Sequence, residues 1–197
     1  MKRSLLILSS LIASRSAAAQ ASRSRRIFSK RQSRPCLAPP ADKAQIVFLE
    51  PINAIQGMFP VGLFDMNGDA RTHLATTGSH TKVALHFTPG HHVLMAAQPG
   101  IKAHFLDVNV ESLSKRYFVL LRFVYGNGFQ LRPLRRDASS DYSMVSKDFP
   151  SWMSETRFVE KTAESDAYFV KFKDLLDKTQ ADGWATWQKR MPLSARN

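Results

Sequence analysis

Between residues 44 and 134 the apolar residues come in short runs broken by turn-forming pairs, and no helix-length periodic segment separates them. This is the tightest constraint in the chain. Parallel neighbours need crossovers of a dozen or more residues, usually helical, so strands without such spacers fold back as antiparallel pairs. The runs cover 45–49, 61–66, 81–88, 92–97, 105–110, 117–125 and 129–134, giving seven or eight short strands. Gln45-Ile46-Val47-Phe48-Leu49 is a short, mostly apolar run that ends at Pro51, as a buried or edge strand does. In 81–88, Val83, Leu85 and Phe87 share one face, and Lys82, Ala84, His86 and Thr88 the other. Asn67-Gly68 and Asn127-Gly128 are hairpin signals because both residue types tolerate positive φ, and Pro89-Gly90 turns the chain into 92–97. The expected fold is mainly β, an antiparallel sandwich over 42–136.

After Arg136 the character changes. A polar linker over 137–143 leads to helical periodicity, with Tyr168, Phe172, Leu175 and Leu176 at i, i+4, i+7 and i+8. This predicts a helix from about 159 to 180, stopped by Asp182-Gly183, and then a shorter one carrying Trp184, Trp187 and Met191. The 137–197 segment is therefore a C-terminal α-helical extension. Its apolar stripes are expected to lie on the sandwich or on each other. Alternatively the Trp184/Trp187 face, flanked by Lys189 and Arg190, rests on an anionic membrane. With 44% hydrophobic residues the chain can bury a core.

The formal charge of +12 would suggest nucleic acid as partner. Its distribution argues otherwise. Residues 1–41 hold nine basic side chains and no Asp or Glu, and the rest of the chain is left with a net charge of only +3. The charge belongs to a leader, and nucleic-acid binding is not expected. Lys2 and Arg3 before the apolar run 5–13, with Ala19-Gln20-Ala21 following, read as a secretory signal over 1–21. A basic, proline-containing linker over 22–41 then leads to the domain. The same Arg- and Ser-rich, acid-free stretch also fits an organellar transit peptide or a disordered basic tail. The twin-arginine form at Arg25-Arg26 lacks the apolar segment that should follow it.

Little catalytic chemistry is legible. The single Cys excludes an intramolecular disulfide. Cys36 stands after Ser33-Arg34-Pro35, so it reads as a linker thiol or a degenerate lipidation site. All six histidines fall between His73 and His104. His86, His91, His92 and His104 are the candidate metal ligands, since neutral imidazole suits zinc, copper and nickel, although no H-x-H or H-E-x-x-H spacing occurs. His92, in the turn made by Pro89 and Gly90, is expected to play a structural part, bonding loop backbone or packing on the strand below. No G-x-S-x-G, G-x-G-x-x-G or Walker-type loop is present. Arg132, Arg135 and Arg136 form the densest basic patch of the body, either a solvated strand edge or a contact for an acidic partner.

Several of these motifs follow one another in an order that resembles a bacterial domain family of unknown function, found in envelope lipoproteins and other exported proteins. A proline-containing spacer leads into Ala44-Gln45-Ile46-Val47-Phe48-Leu49-Glu50-Pro51, and a strand then reaches Phe64-Asp65-Met66-Asn67-Gly68. Pro89-Gly90-His91-His92-Val93-Leu94 fits the family's P-G-x-H-x-L turn, and Tyr117-Phe118-Val119-Leu120 its aromatic strand. The resemblance covers about half the chain. It implies an Ig-like or transthyretin-like sandwich exported to the periplasm or envelope, and it brings no catalytic residue, ligand or cofactor. Relatives often carry a lipidated cysteine just before the domain, whereas Cys36 has the position without the preceding lipobox.

Taken together, these features point to an exported, non-enzymatic module that binds or scaffolds at the envelope, its partner an envelope protein or the membrane surface. A metal-binding protein using the 73–104 region and an organelle-targeted protein are the alternatives.

Overall fold

The structure, a computed structural model, describes residues 29–31, 38–51, 60–67, 70–111 and 113–190. The expected signal, Cys36, Gly68 and Met191 lie outside these residues. Along the chain the elements are β1 (Ser29–Arg31), β2 (Ala44–Glu50), β3 (Val61–Asp65), β4 (Thr72–Thr77) and β5 (Thr81–Phe87). They continue with β6 (Gly90–Gln98), β7 (Ile101–Val110), β8 (Arg116–Val124) and β9 (Gly128–Pro133). The C-terminal part holds α1 (Phe149–Glu155), β10 (Arg157–Lys161), α2 (Ala163–Lys171) and α3 (Lys173–Arg190).

The strands form two sheets, one ordered β1-β10-β5-β2-β8-β9 and the other β4-β3-β6-β7. Between them lies the main core, with Ile46, Phe48, Val61, Leu63, Val83, Phe87, Leu94, Leu121, Phe129 and Leu131. The expected sandwich is present, and its smaller sheet is antiparallel throughout. The larger sheet departs from expectation, because β2 runs parallel to β8 and β10 runs parallel to β5. The physical reason is that these neighbours are far apart in sequence. The chain crosses to the other sheet and back between β2 and β8, so the crossover is made of strands instead of a helix.

Both outer faces are covered, giving four layers. Val47, Leu49, Phe118 and Leu120 point outward from the larger sheet and are covered by Tyr142, Met144, Phe149, Trp152 and Phe158. β2 is thus buried on both faces along its whole length, which is why its sequence is a mostly apolar run. Lys82 also points outward, where its Nζ donates to the Met153 carbonyl at 2.7 Å and lies 4.8 Å from the Phe158 ring centroid. On the other side Phe64, Met95, Ala103 and Phe105 meet Phe169, Leu176, Trp184 and Trp187 of the helices.

Four local expectations need correction. Val159 does not begin a helix; it lies in β10, which joins the larger sheet between β1 and β5. The helix starts at Ala163, where the Thr162 hydroxyl accepts from the Ser165 N–H and Glu164 and Asp166 sit in the favourable first turn. It breaks at Phe172. Asp182-Gly183 does not stop the next helix, because α3 runs through both. A Cβ on Gly183 would stand 2.6 Å from the Ala103 carbonyl oxygen, so this glycine serves the close approach of α3 to β7. Lastly, β4 was not anticipated: β3 and β4 do pair as a hairpin, over a connection longer than the two residues of Asn67-Gly68.

The Pro89-Gly90 turn passes the chain from one sheet to the other, with Gly90 at a φ of 135°. That left-handed region is costly for a residue with a Cβ, so glycine fits the sheet-to-sheet corner.

Candidate functional site

The C-terminal helices lie against β3 and β4 along an open cleft of about 460 Å³. Its floor is apolar. Phe64 of β3 and Phe169 of α2 meet edge to face with ring centroids 5.2 Å apart, and Val170 and Leu176 line the helical wall. Its rim is charged, carrying Arg71, His73, Asp166, Lys173 and Asp177.

His73 sits at the centre. β4 is the edge of its sheet, so a side chain on its outer face can turn toward α2. The imidazole stacks near both phenyl rings, 5.2 Å from Phe64 and 4.7 Å from Phe169. Its Nδ1 lies 2.6 Å from Asp166 Oδ1, while Nε2 lies 2.9 Å from the Ala75 carbonyl and 3.0 Å from the Thr76 hydroxyl. A neutral ring protonated on Nδ1 donates to Asp166 and accepts from Thr76, which satisfies both nitrogens. The nearby Ala75 carbonyl favours a second proton on Nε2. Burial opposes that proton most strongly, Asp166 favours it and the Lys161 ammonium opposes it; the balance leaves the His73 pKa below its ordinary value.

Asp166 is shared. It also accepts from Lys161 Nζ at 3.0 Å, and Lys161 donates in turn to the His73 carbonyl at 2.9 Å. Desolvation raises the Asp166 pKa, and the hydrogen bonds from His73 and Lys161 more than reverse this, so its pKa falls below the usual carboxylate value. A second group lies further along the cleft, where α3 supplies the carboxylate. Arg71 donates through Nη1 to Asp177 at 2.5 Å and to Gln180 at 2.8 Å, and Lys173 donates to the other Asp177 oxygen at 2.5 Å. The hydrogen bonds from Lys173 and Arg71 hold the Asp177 carboxyl below its usual value.

Asp166, His73 and Thr76 stand in the acid–imidazole–hydroxyl order of a nucleophile-activating triad. Thr76 is fully buried, however, so its hydroxyl cannot meet a substrate. The geometry serves to clamp α2 to the sheet edge and to shape a recess beside it.

The candidate metal ligands do not converge. His86 Nε2 lies 3.2 Å from the Gln45 amide nitrogen on the larger sheet. On the smaller sheet His91 pairs with Asp107 across the ladder at 2.7 Å. His104 accepts the Leu131 N–H at Nδ1, where β7 meets β9. His92 lies in the corner after Pro89-Gly90, its Nε2 2.9 Å from the Thr88 carbonyl and its ring 5.1 Å from that of Phe87. Asn67 holds the other side of that corner, donating to the His91 carbonyl at 2.7 Å and accepting from the Val93 N–H at 3.1 Å. Among the described residues no group of three or more His, Cys, Asp or Glu side chains is placed to hold a metal ion.

Sequence reading missed the cleft because its partners are distant. His73 and Asp166 are 93 residues apart, and Arg71 and Asp177 are 106 apart. The available signal was Asp166 itself, an acid in the first turn of a helix.

No protein-family model matches this chain, and no curated protein sequence matches it.

Proposed function

We propose that the protein is a non-catalytic binding module of the cell envelope, with the Phe64–Phe169 cleft as its ligand site. The observation that carries this reading is the cleft's make-up. An aromatic floor lies under a rim with convergent charged groups, in a volume typical of small-molecule sites. Val170, 74% exposed at the lip, extends the apolar surface outward. A ligand with a flat apolar body and an acidic end matches these features, the body lying on Val170 above the buried Phe169 and the acid meeting the Arg71 and Lys173 side of the rim. Delivery to the envelope rests on the basic leader and on the Pro-Gly-His turn that resembles exported domains.

Two measurements test this reading. Titration with anilinonaphthalene sulfonate, an aromatic anion, should give saturable fluorescence with the folded protein, weakened several-fold in Val170→Glu. Fluorescence insensitive to that substitution removes the cleft from consideration. N-terminal sequencing after cell fractionation should find the protein in the envelope fraction and cleaved after Ala21. An uncleaved cytosolic chain would defeat the location.

A further inference from the structure

On the opposite outer face, β8 and β9 carry Arg122 and Arg132, with no carboxylate within ion-pair distance among the described residues. Arg122 and Arg132 point outward from neighbouring strands and are diagonal in the ladder, because Leu120 pairs with Arg132 and Arg122 pairs with Gln130. Like charges at such spacing repel. They meet on one tyrosine: Arg122 Nη1 donates to the Tyr142 hydroxyl at 2.8 Å, and the Arg132 guanidinium lies 5.7 Å from the Tyr142 ring centroid. Arg132 also donates to the Gln130 side-chain oxygen. Arg135 joins Tyr142 only through the backbone, its N–H donating to the Tyr142 carbonyl at 2.9 Å, while its side chain donates to the Ser139 hydroxyl at 3.2 Å on the side of Asp137.

Each of the three is oriented by a neutral acceptor, namely Tyr142, Gln130 or Ser139. Among the described residues none of them forms an ion pair within 4 Å of a carboxylate. The nearby acid Asp137 accepts from the Ser139 N–H at 2.9 Å and from the Ser139 hydroxyl. A body with a net charge of only +3 thus gathers the guanidinia of Arg122 and Arg132 on one ring, with Asp148 and Glu155 lining the recess beside Arg122 beyond ion-pair distance. Each keeps N–H donors beyond those already engaged, and planar forks of this kind match the oxygens of a phosphate group.

We propose that Arg122 and Arg132, arranged around Tyr142, form a phosphate-binding site. Such a group can come from a soluble phosphate compound or from a lipid headgroup, and the chemistry recognised is the same.

The test uses the full chain at low salt with two probes, inorganic pyrophosphate by calorimetry and phosphatidylglycerol vesicles by co-sedimentation, with phosphatidylcholine vesicles as control. Wild type is compared with Arg122→Gln/Arg132→Gln and with Tyr142→Phe, each checked for an unchanged melting temperature. Binding of pyrophosphate weakened at least about tenfold in the double variant supports the site with a soluble ligand. Binding of phosphatidylglycerol vesicles alone, lost in the double variant, supports it with a lipid headgroup. Tyr142→Phe keeps the ring and loses the hydroxyl that orients Arg122, so a several-fold weakening is expected there. Failure of both probes to bind, or binding that the double variant leaves intact, overturns the proposal. The site is remote from the cleft, so its failure leaves the cleft reading untouched.

Discussion

His73 on β4 and Asp166 on α2 join across 2.6 Å, so the edge of one sheet is pinned to the start of a helix nearly a hundred residues later. The imidazole side chain is only 11% exposed, while the carboxylate is 45% exposed. The two halves of the pair are therefore worth different amounts.

Replacing His73 with Ala removes a buried ring between Phe64 and Phe169 and leaves the Thr76 hydroxyl with one partner fewer. A destabilisation of about 2–4 kcal/mol is expected from the cavity and the lost hydrogen bonds. Asp166→Asn keeps the shape and sits in solvent, so about 1 kcal/mol is expected. Urea unfolding of both variants checks the order, which would be wrong if Asp166→Asn cost more.

Stability should fall on mild acidification. The folded-state pKa of His73 is lowered, first by burial, and that of His86 is lowered by burial and by Lys43. Below the ordinary value of 6.5 the unfolded chain takes up these protons while the folded chain resists. The histidine contribution is thus complete above that value and is lost as pH falls through the lower folded values. Asp166 and Asp177, also lowered, lose their contributions further down, below 3.8. Urea midpoints measured against pH should show the first decline in wild type and a shallower one in His73→Gln. Parallel curves would refute the assignment to His73.

Gly183→Ala should destabilise the protein, although the same change inside an exposed helix gains about 1 kcal/mol. The new methyl would meet the Ala103 backbone and push α3 off β7. A loss of about 1–3 kcal/mol, read from thermal melting, is the expected result for such overpacking. A higher melting temperature would show that the helix can shift at no cost.

His92→Ala removes the contacts to the Thr88 carbonyl and the Phe87 ring at the corner between the sheets. A loss of about 1–2 kcal/mol is expected. An unchanged melt would mean that Asn67 alone holds this corner.

Which parts of the fold were legible depended on whether the information was local. The apolar run in β2 reports burial on two faces, and the alternation in β5 separates its core side from its outer side, so both strands could be read directly. Strand direction could not, because periodicity says which face is buried and nothing about which way a neighbour runs. β4 and β10, with the sequences THLATT and RFVEK, are short and polar enough to lack a pattern; the sheets around them make them strands. The helical stripe was legible in part, since Leu176 is buried and Tyr168 packs in the same cluster, but Phe169 was missed. The break at Phe172 resets the stripe, so Phe169, Leu176 and Gly183 face the sheet while Leu175 is 43% exposed. Of the cleft's polar groups the sequence singles out only His73, as the first of six clustered histidines and outside the four candidate metal ligands. Its real partners are a carboxylate and a lysine supplied by the C-terminal part.

One strand would give the proposed leader processing a mechanical meaning. β1 pairs with β10 alone, and Lys30 reaches Glu160 across that ladder at 3.2 Å. Cutting the chain after Ala21 keeps β1 in place, whereas cutting near Asp42 removes it. The second cut would unmask a row of backbone donors and acceptors along β10, where another strand could add on. If the leader is removed as proposed, the position of the cut would set whether the mature sheet ends in its own terminal strand or in an open docking rail.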